Sequence, residues 1–162
     1  MVRYVVAHVV YGKDIKDMKQ QQPGYHNITP YLVMNNCSEA IEFYKRVFGA
    51  KELFRTASPE EGKIDHAELE IDASRIMLAD AHTNSSVKSP SVLGGTTVSL
   101  VIYVEDVDQV FNKAIAAGAR EDDPIKDKPY GDRSGTIIDP FGHRWTITTH
   151  MRDVSPKEME KL

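Results

Sequence analysis

The chain has 162 residues, of which 41% are apolar and 27% charged, with a formal net charge of −4. That length suits one domain or two half-domains sharing a core, and a slightly acidic balance gives no basic stripe for nucleic-acid phosphates. The single cysteine, Cys37, excludes an internal disulfide and fits a reducing, cytoplasmic compartment, and no apolar run approaches the ~20 residues that span a membrane.

Residues 4–11 are apolar but have no small-residue cleavage site after them, so they read as a strand or docking segment, not a signal peptide. With the polar linker Lys19-Gln20-Gln21-Gln22-Pro23-Gly24 they form an N-terminal extension, residues 1–24. Thr29-Pro30-Tyr31-Leu32-Val33-Met34 then predicts a strand, and Asn36-Cys37-Ser38-Glu39 a helix start. The polar N-cap accepts a backbone N–H bond, and Glu three residues later returns one. Ala40, Ile41, Tyr44, Val47 and Phe48 share one helix face. The helix ends at Gly49-Ala50-Lys51, where glycine takes a left-handed conformation at little cost. Cys37 falls in the first turn, where the helix dipole can lower a thiol pKa; the alternative is a small residue filling a helix start. Strands follow near 51–57, 65–72 and 75–80, and residues 82–95, rich in His, Ser, Asn, Pro and Gly, read as a loop.

About seventy residues on, the pattern recurs. Ser99-Leu100-Val101-Ile102-Tyr103-Val104 predicts a strand, and Asp106-Val107-Asp108-Gln109 a second capping box. The helix carries Val107, Val110, Phe111, Ala114 and Ile115 on one face and ends at Gly118-Ala119-Arg120. Strands follow near 124–129, 134–139 and 144–149, with a tight turn at Asp139-Pro140-Phe141-Gly142. Ser155-Pro156-Lys157-Glu158 predicts a short terminal helix, with N-cap, proline at the first helical position and a closing Glu.

Strand alternation sorts the side chains into two faces. Ala67, Leu69 and Ile71 oppose His66, Glu68 and Glu70; Val98, Leu100, Ile102 and Val104 oppose Ser99, Val101 and Tyr103; Trp145 and Ile147 oppose Arg144, Thr146 and Thr148. The apolar face suits the helices, and the mixed face suits a small-molecule cavity, solvent or a dimer contact. Gly131-Asp132-Arg133 can hold an anion through Arg133 with Asp132 orienting it; equally, Asp132 can make a local turn bond. Tyr130 beside them can stack on a planar ligand. There is no Ser-His-Asp set, Gly-rich phosphate loop or CxxC pair.

Across residues 25–150 the chain resembles the vicinal-oxygen-chelate superfamily of glyoxalase, bleomycin-resistance and ring-cleaving dioxygenase proteins. Several runs resemble its PhnB-like branch: Gly24-Tyr25-His26, Thr29-Pro30-Tyr31-Leu32, Ala40-Ile41-Glu42-Phe43-Tyr44, Gly131-Asp132-Arg133 and Asp139-Pro140-Phe141-Gly142-His143-Arg144-Trp145, with Thr149-His150 and Asp153-Val154-Ser155-Pro156 after them. The resemblance implies an α+β fold: tandem βαβββ repeats, 25–81 and 96–150, forming a cup-shaped mixed sheet with helices on the convex face, then a tail, 151–162. It also implies a homodimer, because related proteins build or complete the cup across a two-fold axis. Metal-dependent relatives carry His, Glu or Gln ligands on the first and last strands of each unit. Carried over, those positions are Thr29, Met77, Ser99 and Thr146. Hydroxyls and a thioether do not hold zinc or nickel against water, and threonine cannot act as a base at neutral pH. No metal and no cofactor is therefore expected at the usual site.

Three readings stay open. The first is a metal-free binder of a small, partly apolar molecule, in the manner of bleomycin-resistance proteins, with Tyr31, His66, Glu68, Tyr103, Tyr130, Arg133 and Thr146 lining the pocket. The second is a lyase- or isomerase-type enzyme that uses His66 and Glu68 as acid and base. Alternatively that enzyme uses a relocated divalent metal, which His143 and His150 could join only if their loops fold inward. The third is a dimeric module whose cup is filled by its own side chains. The expected partners are a small molecule and a second copy, with no nucleic acid and no membrane.

Overall fold

The structure, a computed structural model, describes residues 24–60, 62–82 and 85–160. The extension predicted at 1–24 lies outside the described residues except for Gly24. The first repeat comprises β1 (Tyr31–Met34), α1 (Cys37–Phe48), β2 (Lys51–Ala57), β3 (Ile64–Ile71) and β4 (Ser74–Asp80). A short helix, α2 (Pro90–Leu93), lies within the connection expected to be a loop, because Pro90 is pre-set for a first helical position and Gly94 closes the turn at φ 74°. The second repeat comprises β5 (Ser99–Tyr103), α3 (Val107–Ala116), β6 (Arg120–Asp127), β7 (Asp132–Ile138) and β8 (Arg144–His150), followed by α4 (Pro156–Met159). Among the described residues no helix is long and apolar enough to cross a membrane.

The strands divide into two four-stranded mixed sheets of identical topology, β1-β4-β3-β2 and β5-β8-β7-β6. β1 and β5 pair in parallel with β4 and β8, and the other pairs are antiparallel. Leu32, Met34, Ala67, Leu69, Ile76 and Leu78 are buried with α1; Ile137, Trp145 and Ile147 are buried with α3. The stripe on α3 is narrower than its sequence suggests: Val107, Phe111 and Ala114 are buried, whereas Ile115 sits at the stripe's edge and is exposed.

Both helix starts are clamped twice. Asn36 Oδ1 accepts the Glu39 N–H at 3.4 Å, and Asp106 Oδ1 accepts the Gln109 N–H at 2.9 Å. The last strand of each repeat then reaches the first helical N–H. Asp80 Oδ1 accepts from Cys37 N at 2.9 Å, and Thr149 Oγ1 accepts from Val107 N at 2.9 Å. Asp80 also accepts from Ile64 N at 2.7 Å. Cys37 is fully buried, and that burial, aided by Asp80, pushes its thiol up to about 12. Desolvation therefore outweighs the helix dipole, and the thiol is unreactive. The reciprocal capping box forms in full at α4, between Ser155 and Glu158.

The repeats meet through their helix sides. Tyr44 and Phe48 of α1 pack on Trp145 of β8, with ring centroids 5.4 and 4.8 Å apart. Beneath them lies Asp139, buried in the turn before β8. Its Oδ2 accepts the Tyr44 hydroxyl at 2.6 Å and Trp145 Nε1 at 3.0 Å. Its Oδ1 accepts the N–H groups of Phe141 and His143, each at 2.9 Å. A buried carboxylate with four donors is satisfied in place, so this residue folds the turn and docks the first repeat on the second.

Candidate functional site: the open face of the first sheet

Register assembles this site. Tyr31 pairs with Met77, Met77 with Glu68, and Glu68 with Phe54, so one row of four side chains crosses the sheet on the face away from α1. His66 stands one pleat along, opposite Thr56. Its Nδ1 lies 3.2 Å from the Tyr31 hydroxyl and its Nε2 3.4 Å from Glu68 Oε1. With Nε2–H donated to Glu68, Nδ1 is left to accept the Tyr31 O–H. The His66 ring meets Tyr31 edge-on and tilts against Phe54, at centroid distances of 5.5 and 5.6 Å.

The floor of the face is closed by the segment preceding β1. The Tyr25 hydroxyl hydrogen-bonds Glu68, and the Arg75 guanidinium lies 4.7 Å over the Tyr25 ring. Burial first, then the Glu68 bond, raises the Tyr25 pKa, with Arg75 opposing. Glu68 is only 7% exposed, whereas Tyr31 and Phe54 are 49% and 46% exposed. The face thus presents two accessible aromatic rings, a thioether, and a phenol–imidazole–carboxylate relay with a buried end.

The equivalent row of the second sheet carries Val101, Thr146, Thr136 and Asp123, and Ser134 stands in the place of His66. The Thr136 and Thr146 hydroxyls are 3.1 Å apart. This row holds no phenol–imidazole–carboxylate relay; the imidazole–carboxylate pair of this face, His150 with Asp132, stands where β7 begins and β8 ends.

Of the residues singled out from sequence, the structure brings Tyr31, His66 and Glu68 together. Thr146 and Tyr103 lie on the second sheet, Tyr103 exposed on its edge strand, and Tyr130 is exposed in the β6–β7 turn. Arg133 is on the opposite face. Asp132, Ser134 and Thr136 point to the open side, so Arg133 points toward α3, where Asp108 takes Nε and Nη2 at 2.7 and 2.8 Å and Asp127 takes Nη1 at 2.9 Å. Asp132 does not orient Arg133 over an anion; it holds His150 Nδ1 at 2.8 Å. His150 is further bound by Asp153, and His143 is buried at the foot of β8, so neither approaches the His66–Glu68 pair as a relocated ligand. Among the described residues no three His, Cys, Asp or Glu side chains form a group able to hold a metal.

The family positions themselves do not fit a divalent metal. Thr29 Oγ1 donates toward the His26 carbonyl, Thr146 Oγ1 is shared with Thr136, and Ser99 Oγ accepts from the Arg144 guanidinium at 2.9 Å. Met77 offers only a thioether. Three neutral hydroxyls, one beside a guanidinium, and a soft sulfur match no first-row cation.

Sequence reasoning missed Tyr25, Phe54 and Arg75. A register shift between Glu52 and Phe54 breaks the alternation that would have placed Phe54. Arg75 could have been found, since its strand alternation sets it beside Met77 on the open face.

Comparison with known proteins agrees with this architecture. Residues 24–147 match the family described as the Glyoxalase/Bleomycin resistance protein/Dioxygenase superfamily. The chain is 38% identical over 136 residues to the Mycobacterium bovis protein Mb0911c, covering 82% of this chain and 89% of that one. The crystal structure of TioX from Micromonospora sp. ML1 is similar at a TM-score of 0.58 and 30% identity, covering 80% of this chain and all of that one. A PhnB protein from Bacillus cereus shares the fold at a TM-score of 0.61 and 23% identity, covering 76% and 99% of the two chains. Duplicated βαβββ units, matched by sequence and by structure over most of their length, place this chain in the glyoxalase/bleomycin-resistance/dioxygenase (vicinal oxygen chelate) superfamily.

Proposed function

We propose that the protein binds a small, partly apolar molecule on the open face of the first sheet, without a metal, in a reducing, cytoplasmic setting. The observation that carries this reading is the Tyr31–His66–Glu68 relay flanked by Phe54, Met77 and Tyr25. Aromatic and thioether surface takes the apolar body, and the relay takes one polar group and fixes its orientation. Bleomycin resistance is one of the functions named in the family description, beside glyoxalase and dioxygenase, and is compatible with a binding role.

The reading includes a homodimer. In one chain this face is open, and β1 and β5 each stand at the end of their sheet's strand order among the described residues. Val98, Val101 and Tyr103 at the second edge are each about 60% exposed. A second copy laid over these edges would bury the apolar strip and wall the ligand face.

A second reading is favoured by the relay itself. An imidazole bound to a carboxylate on one nitrogen and a phenol on the other can move a proton, so His66 and Glu68 suit an acid–base step of lyase or isomerase type.

The test is an NMR titration of the ¹⁵N-labelled protein in a chelating buffer, using bleomycin and a panel of planar amines and phenols. Binding should shift Tyr25, Tyr31, Phe54, His66, Glu68 and Met77, and Tyr31→Ala should weaken it by about tenfold or more. Binding that needs added metal, or that ignores both Tyr31→Ala and His66→Ala, overturns the proposal. A probe that is chemically converted by the parent protein but not by His66→Ala selects the enzyme reading.

A further inference from the structure

The two repeats act as controls for each other. Gly24 lies seven residues before Tyr31 and Gly94 seven before Val101, and both adopt left-handed backbone, with φ 86° and 74°. The next residue is Tyr25 in the first repeat and Gly95 in the second. Tyr25 lays its ring on Arg75. Arg75 pairs across the sheet with Glu70, and its counterpart Arg144 pairs with Ile138. Gly95 brings no ring to Arg144. In that place a cavity of about 340 Å³ opens between the end of α2 and the strand row, lined among others by Gly95, Thr96, Arg120, Asp122, Ile138 and Arg144. A Cβ placed on Gly95 meets nothing within 4 Å, so the direction a side chain would take is open space.

The charges differ as well. In the first repeat Glu70 stands between Arg75 and Lys51 in the row, and its carboxylate is 3.8 Å from Arg75 Nε. In the second, Ile138 stands between Arg144 and Arg120. Arg144 is offset by Asp122 at 2.8 Å and anchored by Ser99 at 2.9 Å, which fixes its guanidinium as a plate. Arg120 reaches only the Glu121 carbonyl, at 3.5 Å, and no carboxylate among the described residues is within ion-pair distance of it. The cavity therefore has a guanidinium plate paired with Asp122, Ile138 as an apolar floor, and a second cation, Arg120, with no carboxylate among the described residues within ion-pair distance.

We propose that this cavity is a binding site for a small single-ring aryl carboxylate. The ring takes the place that Tyr25 fills in the first repeat, stacked on Arg144 and resting on Ile138, and the carboxylate pairs with Arg120. The volume lies at the lower end of small-molecule sites, roughly 300–1,000 Å³. The site is on the other sheet from the Tyr31–His66–Glu68 face and stands independently of the function proposed for that face.

The experiment is a ¹⁵N NMR titration at low salt with three probes: benzoate, cyclohexanecarboxylate (charge without a π face) and benzamide (ring without charge). Benzoate should shift the amides of Gly94, Gly95, Thr96 and Arg144 with a Kd of about 1 mM. Cyclohexanecarboxylate should bind about fivefold more weakly and benzamide about tenfold more weakly. Gly95→Tyr should restore the first repeat's arrangement, fill the cavity and abolish benzoate binding, while His66→Ala leaves it intact. Arg120→Gln, at an exposed position, should weaken benzoate about fivefold or more and decides the matter if Gly95→Tyr loses its amide dispersion. Equal binding of the three probes, benzoate shifts away from these residues, no benzoate binding at all, or undiminished binding to Arg120→Gln or a folded Gly95→Tyr overturns the proposal.

Discussion

The two repeats share a skeleton and differ on their open faces. On the helix side the counterparts match in kind: Leu78 with Ile147, Leu69 with Ile137, and Asp80 with Thr149, both of which hold the first N–H of a helix. On the open side Tyr31 answers to Val101, His66 to Ser134, Glu68 to Thr136 and Met77 to Thr146. Packing constrains the first set to apolar bulk and to one acceptor at each helix start. The second set is free of that constraint, so chemistry accumulates there, and in this chain the phenol–imidazole–carboxylate relay sits on the first repeat while the second keeps an exposed His150–Asp132 pair.

The comparison breaks most visibly at Asp139, which has no counterpart role in the first repeat because it joins the two. Asp139→Ala would strand the Tyr44 hydroxyl, Trp145 Nε1 and two turn N–H groups, at roughly 1–3 kcal/mol each when buried. A loss of about 5 kcal/mol in urea unfolding is expected, enough to unfold a domain of ordinary stability. A loss under about 1 kcal/mol would show that the repeats dock by packing alone. The helix clamps give a graded test. Asp80→Ala removes a carboxylate that accepts two N–H bonds and should cost about 2–3 kcal/mol; Thr149→Val removes one hydroxyl and should cost about 1 kcal/mol. Equal losses would contradict the difference drawn between them.

Two histidines of the second repeat respond to acid in opposite senses. His143 packs against the first repeat near the Val33 carbonyl, and burial lowers its pKa below 6.5 despite Asp139. The unfolded chain then takes up the proton first as pH falls, so its share of stability is present above pH 6.5 and is lost as pH drops through the folded value. His150 runs the other way. Asp132 and Asp153 raise its folded pKa, so its contribution is present below pH 6.5 and lost as pH rises through that raised value. In a His150→Gln background the urea midpoint should therefore fall between pH 7 and 5, and His143→Asn should flatten that fall. The smallest expected effect is at Tyr31→Ala, an exposed ligand-face position, which should move stability by no more than about 0.5 kcal/mol while weakening ligand binding.

Much of the skeleton is legible locally. Asn36, Asp106 and Ser155 mark helix starts, Gly49 marks an end, and the β3 and β8 alternations sort core from open face. What stays hidden depends on distance or irregularity. Asp139 meets Tyr44 across 95 positions of sequence, and no spacing rule reveals that bond. A bulge conceals Phe54. The strand start at Asp132 turns Arg133 away from the face that its motif suggested. The docking of α1 on Trp145 is a long-range contact of the same kind. His66 and Glu68 were legible because an unbroken strand presents both on one face.

The central claim is that this open face takes its ligand without a metal, because the family's ligand positions are Thr29, Met77, Ser99 and Thr146. The most direct measurement is elemental analysis of untagged protein after exposure to manganese, nickel, zinc and iron(II) and desalting. The account predicts less than about a tenth of an equivalent of every metal retained. Stoichiometric retention of any of them, lost in His66→Ala, would contradict it and place a metal centre on the first repeat.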